Sequence, residues 1–518
     1  MSKNYAEEFR KDLKEFHEMT EKFYQKEINV PEYKKFSGGF GSYAQRGGAS
    51  SMLRLRFTGG EITKEQLLFL VESIEKYNIS LVHFSTCQSV QLHNLSKAQV
   101  CALIEESFDH GIITRGGGGN YPRNVMCSPL SGVQRGEFFD VLPYAKEAAD
   151  YVLGLIHEVK LPRKLKICFS NCAENITHAT FRDLGFVATK QGAFDVYSAG
   201  GLGREPRMGA LVASNVEPSK TLYCIKAMVD TFVTYGNYEN RGKARTRFMQ
   251  ETLGTEGYIK AYREKLSHAL SEERLELTIS IPEITKGDNS QQTNQTLNEN
   301  KNTIISQKQE GLYALHYHPP GGSPRPEFFR NLYQVILPME EVVLRVSPDQ
   351  SLYIINLTAS EAAKVLPLIE DGAKTLFETS VACIGASICQ IGARDSQGLL
   401  NACLDKVRKE HFKDRVLPKI HISGCPSSCS GHQIASLGFR GGVKQTPDGP
   451  RPAFAVYEMG CELQGEEAFG TELGVMLESE IPEFLVTLGR EITSRGITYQ
   501  EFITHHHDDF LRIAKPFL

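Results

Sequence analysis

The sequence lacks the features that mark membrane-spanning, nucleic-acid-binding and nucleotide-binding proteins. No apolar run reaches the roughly 18 residues needed to cross a bilayer. A formal charge of -4 over 518 residues gives no general attraction for nucleic acid or an anionic membrane. A dinucleotide glycine fingerprint, a P-loop and a ferredoxin-type Cys-x2-Cys-x2-Cys-x3-Cys run are also absent. If the chain performs redox chemistry, its electrons must therefore come from a separate protein.

The N-terminal residues show no export signal. Residues 1–16 form a charged helical pattern, unlike the apolar centre of a signal peptide. We therefore expect a cytoplasmic protein whose twelve cysteines are reduced thiols or metal ligands, not disulfides. Three adjacent histidines, His505–His507, lack the spacing of a metal site and are interpreted as a polar tail.

Four of the cysteines form two spaced pairs. Five residues separate Cys383 from Cys389, and Cys425 and Cys429 enclose a Pro-Ser-Ser segment after a glycine. Four converging thiolates are what an iron–sulfur cluster requires. Zinc sites usually use Cys-x2-Cys or Cys-x4-Cys pairs, so a cluster is favoured over zinc or inert buried thiols. If a helix begins at the second pair, both sulfurs would share one face and Pro426 would occupy its first turn.

The chain contains an internal duplication. Residues 53–100 and 315–362 match in pattern at an offset of 262, and the match includes the glycine pairs Gly59–Gly60 and Gly321–Gly322. A constant offset across a turn, a strand and a helix start is unusual by chance. The sequence therefore predicts two related halves.

Two further patterns support the duplication. A capping box is predicted in each copy, formed by Ser96 with Gln99 and by Thr358 with Glu361. A Leu-Pro segment followed by a cysteine also occurs twice, and Cys172 then matches Cys425. The second copy holds the cluster cysteines, whereas the first holds a set of basic residues.

The basic residues of the first half occur in alternating or clustered patterns. On a strand, alternating cations leave one face while the apolar residues between them fill the other. Each cluster alone is more often a solvated surface than a site. Together they could bind a polycarboxylate and a small oxyanion. The clusters are Arg54 and Arg56, Arg115 and Arg123 around Gly116–Gly119, Lys164 and Lys166, and Arg241, Lys243, Arg245 and Arg247.

These motifs resemble the siroheme-dependent sulfite and nitrite reductases over nearly the whole chain. The resemblance implies an oxidoreductase with siroheme and a 4Fe-4S cluster, in which Cys383, Cys389, Cys425 and Cys429 bind the cluster. Cys429 would also be the axial ligand of the siroheme iron. Substrate would be bound by Arg54, Arg123, Lys164 and Lys166. Further siroheme contacts are expected from Arg46, Arg56, Arg115, Asn124, Arg241, Lys243 and Arg245.

The resemblance also implies the fold and its division. We expect an α+β protein of two pseudo-repeated halves, each with a ferredoxin-like domain and a siroheme- or cluster-binding domain. The expected parts are an N-terminal helical segment (1–44), a first ferredoxin-like half-domain (45–112), a siroheme- and substrate-binding domain (113–285), a polar linker (286–306), a second ferredoxin-like half-domain (307–372) and a cluster domain (373–518).

Two departures affect the substrate prediction. Family members commonly carry arginine where this chain has Cys87, so one cation for the siroheme carboxylates is missing. The segment after Gly431 is closer to nitrite reductases, whereas Lys166 matches sulfite reductases and replaces the asparagine usual in nitrite enzymes. Because Lys166 would face substrate, six-electron reduction of sulfite to sulfide is predicted, with nitrite reduction to ammonia as the alternative.

The donor and other functional classes stay open at this point. Ferredoxin is the donor that the resemblance implies, and a flavoprotein subunit is the alternative. No nucleic-acid or membrane partner is expected. A non-catalytic iron–sulfur carrier or sensor, or a degenerate tetrapyrrole-binding copy, would fit parts of the same motif set.

Overall fold

Four β-sheets and their covering helices form the described part of the protein, which in this computed structural model is residues 5–281, 284–286 and 302–518. Residues 287–301 of the expected linker lie outside it. The strands are β1 (Ser42–Ala44), β2 (Ser51–Arg56), β3 (Glu61–Ile62), β4 (Val82–Phe84), β5 (Ser89–Leu95), β6 (Met126–Cys127), β7 (Ile167–Ser170), β8 (Leu184–Ala188), β9 (Phe194–Ser198), β10 (Ala210–Val216), β11 (Ile304–Ser306), β12 (Tyr313–Tyr317), β13 (Val343–Val346), β14 (Leu352–Leu357), β15 (Val381–Ala382), β16 (Ile420–Ser423), β17 (Leu437–Thr446), β18 (Gly449–Glu458) and β19 (Thr471–Leu477).

The α-helices are α1 (Tyr5–Arg10), α2 (Leu13–Tyr24), α3 (Val30–Ser37), α4 (Lys64–Lys76), α5 (Lys97–Asp109), α6 (Leu142–Gly154), α7 (Thr221–Tyr235), α8 (Arg247–Leu253), α9 (Thr255–Glu272), α10 (Pro326–Ile336), α11 (Ala359–Val365), α12 (Ser396–Arg408), α13 (Ile481–Arg495), α14 (Tyr499–His505) and α15 (His507–Ala514). Short 3₁₀ helices span Gly38–Phe40, Thr58–Gly60, Ala179–Phe181, Pro218–Lys220, Arg241–Lys243, Pro320–Gly322, Leu366–Ile369, Phe377–Thr379, His432–Ile434 and Lys515–Phe517. None of the helices in the described ranges is long and apolar enough to cross a bilayer.

Each half of the chain contributes one antiparallel sheet. The first has the order β1-β2-β5-β4, and the second has the order β11-β12-β14-β13 with β3 added at its edge. The strands β1 and β11 lie just before the expected half-domain starts at 45 and 307. Both strands nevertheless belong to these sheets, so each sheet begins a few residues earlier in the chain than the sequence indicated.

Each half also contributes one mixed sheet. The orders are β10-β9-β8-β7-β6 and β15-β16-β17-β18-β19. In both sheets the first three strands in chain order are parallel, and the remaining two pair antiparallel. Because the carboxyl ends of parallel strands meet at one edge, the loops after β6, β7, β15 and β16 can gather side chains for a site.

The predicted duplication is confirmed at the level of backbone detail. Ser42 pairs with Leu53, and Ile304 pairs with Leu315, at the same offset of 262. Gly59 and Gly321 both have φ of 59° in matching turns, a region that glycine enters at little cost. Both predicted capping boxes form, at the starts of α5 and α11. The local sequence signals therefore identified a true structural repeat.

The two antiparallel sheets share one hydrophobic core. Leu53 and Leu55 on β2 and Leu315 on β12 are fully buried in the same cluster of side chains. Across the join, the rings of Phe84 and Phe329 meet edge-on with centroids 6.2 Å apart. The mixed sheets have separate cores. The shared core fixes the two halves against each other and so fixes the site between them.

One strand of the first half completes a sheet of the second. On β3, Glu61 and Ile62 pair antiparallel with Arg345 and Leu344 on β13. The Arg345 guanidinium also lies 3.1 Å from the Glu61 carboxylate, and both side chains are largely buried. The halves are therefore joined by backbone hydrogen bonds and by an ion pair in addition to apolar packing.

Candidate functional site

The two cysteine pairs are brought together by neighbouring loops. Cys383 follows β15, and Cys425 follows the parallel strand β16. The Cys383 sulfur accepts a hydrogen bond from the Gly424 amide at 3.2 Å. The amides of Ala393 and Arg394 both donate to the Gly424 carbonyl at 2.9 Å. These bonds hold the Cys383–Cys389 loop against the start of the second pair.

No helix begins at Cys425, so the shared helix face considered for the second cysteine pair does not arise. Residues 425–430 form bends and turns, and Ser428 has φ of +52°, in the left-handed region. The Thr86 hydroxyl of the first half donates to the Cys429 carbonyl at 2.8 Å. This bond joins the turn that carries Cys429 to the first half of the chain.

The thiol environment suits a metal cluster. All twelve cysteines are free thiols. Cys429 is exposed to the open site, but the surrounding protein and the nearby Cys383 and Cys425 thiols raise its pKa, and burial raises the pKa of Cys383. Ligation to iron is the ordinary means by which such thiols become thiolates near neutral pH. The donor set of Cys383, Cys389, Cys425 and Cys429 is soft, and Cys383, Cys425 and Cys429 lie near enough to influence one another's ionisation, which fits an iron–sulfur cluster.

The fourth cysteine is anchored from the other half of the chain. Cys389 lies on the same loop as Cys383, and its amide donates to the Gly385 carbonyl at 2.8 Å. The Arg46 guanidinium donates to the carbonyls of Cys389 and Gly392 at 3.1 and 2.6 Å. Arg46, expected to contact siroheme, therefore braces the loop that carries Cys389.

Near Cys429 lies a group of cations from three segments of the first half. Arg54 is on β2, Arg123 precedes β6, and Lys164 and Lys166 precede β7. The Arg123 amide donates to the Leu165 carbonyl at 2.8 Å, so Arg123 lies beside the lysine pair. The structure therefore gathers all four of the residues expected to bind substrate.

The two arginines are held by the glycine loop between them. Arg54 and Arg123 both donate to the Gly117 carbonyl, at 2.6 and 2.8 Å, and Arg123 also donates to the Gly119 carbonyl at 2.8 Å. A side chain at Gly118 would place its Cβ 2.3 Å from the Gly38 carbonyl. The glycines thus allow close packing of the N-terminal segment, which in turn holds the carbonyls that orient both guanidinium groups.

The lysines are half-buried without a compensating acid. In the described ranges, neither Lys164 nor Lys166 has an ion pair with a carboxylate; Asp183 accepts from the Lys166 backbone amide at 2.9 Å and pairs with Arg245. Burial and the neighbouring cations Arg245 and Arg123 hold the pKa of Lys164 well below its usual range. Burial likewise lowers the pKa of Lys166. Cations in this situation favour an anionic ligand, so the residues fit a polycarboxylated tetrapyrrole and a small oxyanion.

Cys87 lies inside this group of cations. Burial disfavours its thiolate, but the charges of Lys166, Arg182 and Arg54 outweigh that effect and lower the pKa of Cys87 to about 6. Among these charges, that of Lys166 has the largest effect. The residue that the sequence marked as a missing cation therefore supplies an acidic thiol near Lys166.

Three residues expected to contact siroheme bond to the protein backbone or the N-terminal helix instead. Arg56 donates to the carbonyls of Arg115 and Arg123. Arg115 pairs with Asp12 at 2.8 Å and lies over the Phe40 ring. The Asn124 amide donates to the carbonyls of Phe57, Cys87 and Gln88 at 2.8 to 3.1 Å. All three side chains are buried, and they hold in place the backbone segments that carry the site.

The remaining expected siroheme residues differ in placement. Arg245 donates to both oxygens of Asp183 at 3.0 Å, and its Nε has no hydrogen-bond partner among the described residues. Lys243 is exposed to solvent and pairs with Glu205 and Glu251. Arg241 is exposed in a 3₁₀ turn. Arg245 thus borders the half-buried cations, while Arg241 and Lys243 lie at the surface.

Sequence reasoning missed two cations. Arg182 is 9% exposed and acts on both Cys87 and Lys166. Arg163 is held by Asn120 at 3.0 Å and lies near Arg123 and Arg245. A signal for Arg182 existed: β8 and β17 align Leu184 with Leu437, and the second copy has Ala435 where the first has Arg182. A cation that one copy has and the other replaces with alanine indicates which half is the candidate for binding an anion.

Comparisons with known proteins agree with this geometry. Residues 118–270 match the family model for the nitrite and sulphite reductase 4Fe-4S domain, and residues 43–107 match that for the nitrite/sulfite reductase ferredoxin-like half domain. The 118–270 match falls on the copy with Cys172 at the position of Cys425. It therefore reports the shared fold of the two mixed-sheet domains, and the four-cysteine set lies in the other copy.

Individual relatives are similar over most of the chain. The chloroplastic ferredoxin–nitrite reductase of Spinacia oleracea is 25% identical over 413 residues, covering 77% of this chain and 67% of the relative. That of Leptolyngbya laminosa is 25% identical over 447 residues, 83% of each chain. The sulfite reductase [NADPH] hemoprotein beta-component of Bacillus pumilus is 24% identical over 442 residues, 75% of this chain and 73% of the relative.

A solved structure shows the same fold. The Mycobacterium tuberculosis NirA protein superposes with a TM-score of 0.75 at 20% identity, covering 93% of this chain and 92% of its own. The fold and the site define a redox protein built on a duplicated pair of ferredoxin-like and cluster-binding domains. Residues 43–107 and 118–270 are thus domains of the nitrite and sulfite reductase family, and the chain is an oxidoreductase. Its cofactors are siroheme and a 4Fe-4S cluster.

Proposed function

We propose that the protein reduces sulfite to sulfide in a six-electron reaction, with electrons from an external one-electron donor. The observation that carries the proposal is Lys166, a half-buried cation that has no carboxylate partner in the described ranges and lies close enough to Cys429 for each to influence the other's ionisation. Sulfite carries two negative charges when fully ionised and nitrite carries one. An additional cation therefore favours sulfite, by about 1 kcal/mol or more at reduced dielectric.

Two sets of residues would hold the cofactors. Cys383, Cys389, Cys425 and Cys429 would bind the cluster, and Cys429 would also bind the siroheme iron. Arg245 has an unpartnered buried Nε and is a candidate for the siroheme carboxylates. When bound, the two groups would supply an open iron position for the anion and a path for single electrons.

The protein's own part in the reaction is to bind charge and to supply protons. Arg54 and Arg123 are fixed by the Gly117 carbonyl, so their remaining N–H groups can bind anion oxygens without reorganisation. Lys164 and Lys166 have lowered pKa values, which makes each a better proton donor than an exposed lysine. Each oxygen that leaves sulfite as water needs two protons, and these lysines would deliver them.

Nitrite reduction to ammonia is the second candidate. It is favoured by the names of several relatives, including the Spinacia and Leptolyngbya proteins, which are ferredoxin–nitrite reductases. The acidic thiol of Cys87 also favours it, because a thiolate at Lys166 would offset part of the positive charge there. We infer that ferredoxin is the donor, on the strength of the same names.

The two candidates are separated by one comparison. The protein would be produced in a host that makes siroheme, purified without oxygen and assayed with reduced methyl viologen for sulfide and ammonium. We expect both cofactors and a higher kcat/KM for sulfite than for nitrite. A higher kcat/KM for nitrite than for sulfite would contradict the choice of sulfite and support nitrite as the substrate. Turnover of neither anion by protein with both cofactors would contradict the proposal.

A further inference from the structure

Three side chains of metal-ligand type that the site described above does not use meet in the second half. His316 is on β12, His318 follows that strand directly, and Asp349 lies in the turn between β13 and β14, where it lines the same cavity as Cys429. One ligand atom from each of the three lies within 4.8 Å of the others. We propose that His316, His318 and Asp349 bind a divalent transition metal, Zn²⁺ or Fe²⁺, as a ligand set distinct from the four cysteines.

The strand geometry explains why the two imidazoles converge. Residues two apart on a strand project from the same face, and β12 pairs with β14 in a regular antiparallel register at this point. The turn that carries Asp349 leads into β14, so the carboxylate approaches the same face. The fold thus holds all three side chains in place before any ion binds.

Hydrogen bonds leave one nitrogen of each imidazole available. His316 Nδ1 lies 3.0 Å from the Asn302 carbonyl oxygen, which can only accept, so Nδ1 carries the proton and Nε2 a lone pair. His318 Nδ1 lies 2.9 Å from the Ser351 hydroxyl. Metal-binding histidines characteristically use their other ring nitrogen in this way, since the bond fixes the orientation of the ring.

The available nitrogens are buried and unpartnered. Within the described ranges, Nε2 of His316 and Nε2 of His318 have no hydrogen-bond partner, and His318 is only 2% exposed. A buried polar atom left without a partner costs about 1–3 kcal/mol. Two such atoms that point into one place with a carboxylate are better explained by a bound cation than by packing.

The duplication shows that the residues of this pocket differ in type from those at the matching positions of the first half. At the offset of 262, Arg54, Arg56 and Cys87 of the first half correspond to His316, His318 and Asp349. The matching turns have the same hydrogen bonds, with the Ser85 and Ser347 amides bonded to the Ser89 and Ser351 carbonyls. Two arginines and a thiol of one copy are thus replaced in the other by two imidazoles and a carboxylate.

The donor set limits the choice of ion. Two imidazole nitrogens and one carboxylate oxygen suit Zn²⁺ or Fe²⁺, which commonly keep further positions for water, and are a poor match for Ca²⁺ or Mg²⁺. Lys419 borders the site, with Nζ 3.2 Å from an Asp349 oxygen. Its positive charge opposes the cation, so the metal is expected to bind less tightly than it would without this lysine.

The test is metal analysis of untagged holoenzyme together with binding of radiolabelled Zn²⁺ after dialysis against a chelator. We expect about one equivalent of zinc, or of iron beyond that of the cluster and siroheme, per chain. His318→Gln and Asp349→Asn should lose this equivalent, and Ser351→Ala should weaken Zn²⁺ binding roughly tenfold by releasing His318. Far-ultraviolet circular dichroism and the siroheme absorbance would check that each variant is folded.

The control variants exclude binding elsewhere. His505→Ala removes a histidine of the C-terminal cluster and should keep the metal. Lys419→Met should bind Zn²⁺ at least as tightly as the parent protein. The proposal would be overturned by holoenzyme that neither contains nor rebinds the additional metal, or by folded Asp349→Asn with an unchanged metal content. Loss of the metal in Lys419→Met would also contradict it.

Discussion

The ammonium group of Lys166 lies close enough to the Cys87 thiol to be the strongest of the positive charges that lower the pKa of Cys87. This proximity places an ionisable sulfur beside the lysine on which the choice between the two proposed substrates rests. It also makes the protonation state of the site measurable by simple chemistry, because only a thiolate reacts readily with alkylating agents.

Alkylation of Cys87 by iodoacetamide should follow its lowered pKa. With a pKa of about 6, the thiolate fraction is about 90% at pH 7 and about 10% at pH 5, so the rate should fall roughly tenfold over that range. Mass spectrometry of the modified peptide gives the rate. Cys101 is the internal control, because burial raises its pKa to about 11 and its rate should keep rising to pH 9. A Cys87 rate that also rises steadily to pH 9 would show that its thiol is not acidic.

Lys166→Asn should shift substrate preference while both cofactors remain bound. Loss of the cation should lower the ratio of kcat/KM for sulfite to that for nitrite by about tenfold, equivalent to ~1.4 kcal/mol of transition-state binding. Lys190→Asn, an exposed lysine outside the site, should leave the ratio unchanged. An equal ratio in parent and Lys166→Asn protein would remove the physical basis for choosing sulfite.

Cys425→Ser should lose the iron–sulfur cluster. A serine hydroxyl is a harder and far less acidic donor than a thiol, so one corner of the ligand set is lost. Cys461→Ser, in the same domain and also half-buried, should retain iron and acid-labile sulfide. The measurement is iron and sulfide content of anaerobically purified protein. Full cluster content in Cys425→Ser would exclude Cys425 as a ligand.

Gln88→Leu should destabilise the protein by about 3 kcal/mol. The Gln88 side chain is fully buried and donates to the carbonyls of Gly59, Cys127 and Val346 while it accepts from the Cys127 amide. Leucine would leave these groups unpaired. Chemical denaturation of the holoenzyme measures the change, with the exposed Gln500→Leu as the control. Equal stability of the two variants would mean that water replaces the lost bonds.

The duplication and the ligand types were predictable because both depend on local sequence. Turn glycines, capping boxes and cysteine spacing have the same consequences wherever they occur. The roles of Arg56, Arg115 and Asn124 were not predictable, since each depends on which carbonyl or carboxylate the folded chain brings near. The turn at Ser428 was missed because Pro426 is equally compatible with a helix start and with a turn.

Arg182 shows what comparing the two copies can add. A single cluster of basic residues is ambiguous, but a cation in one copy opposite alanine in the other indicates which copy changed its chemistry. The same comparison makes His316, His318 and Asp349 stand out against Arg54, Arg56 and Cys87. In a duplicated chain, the positions where the copies differ in charge are those to examine first.

The short strand β3 determines whether a fragment of this protein has a fully paired β-sheet. Since Glu61 and Ile62 finish a sheet whose other strands come from beyond residue 302, a fragment that starts in the second copy would display an open β-edge. Such a fragment should self-associate when expressed alone.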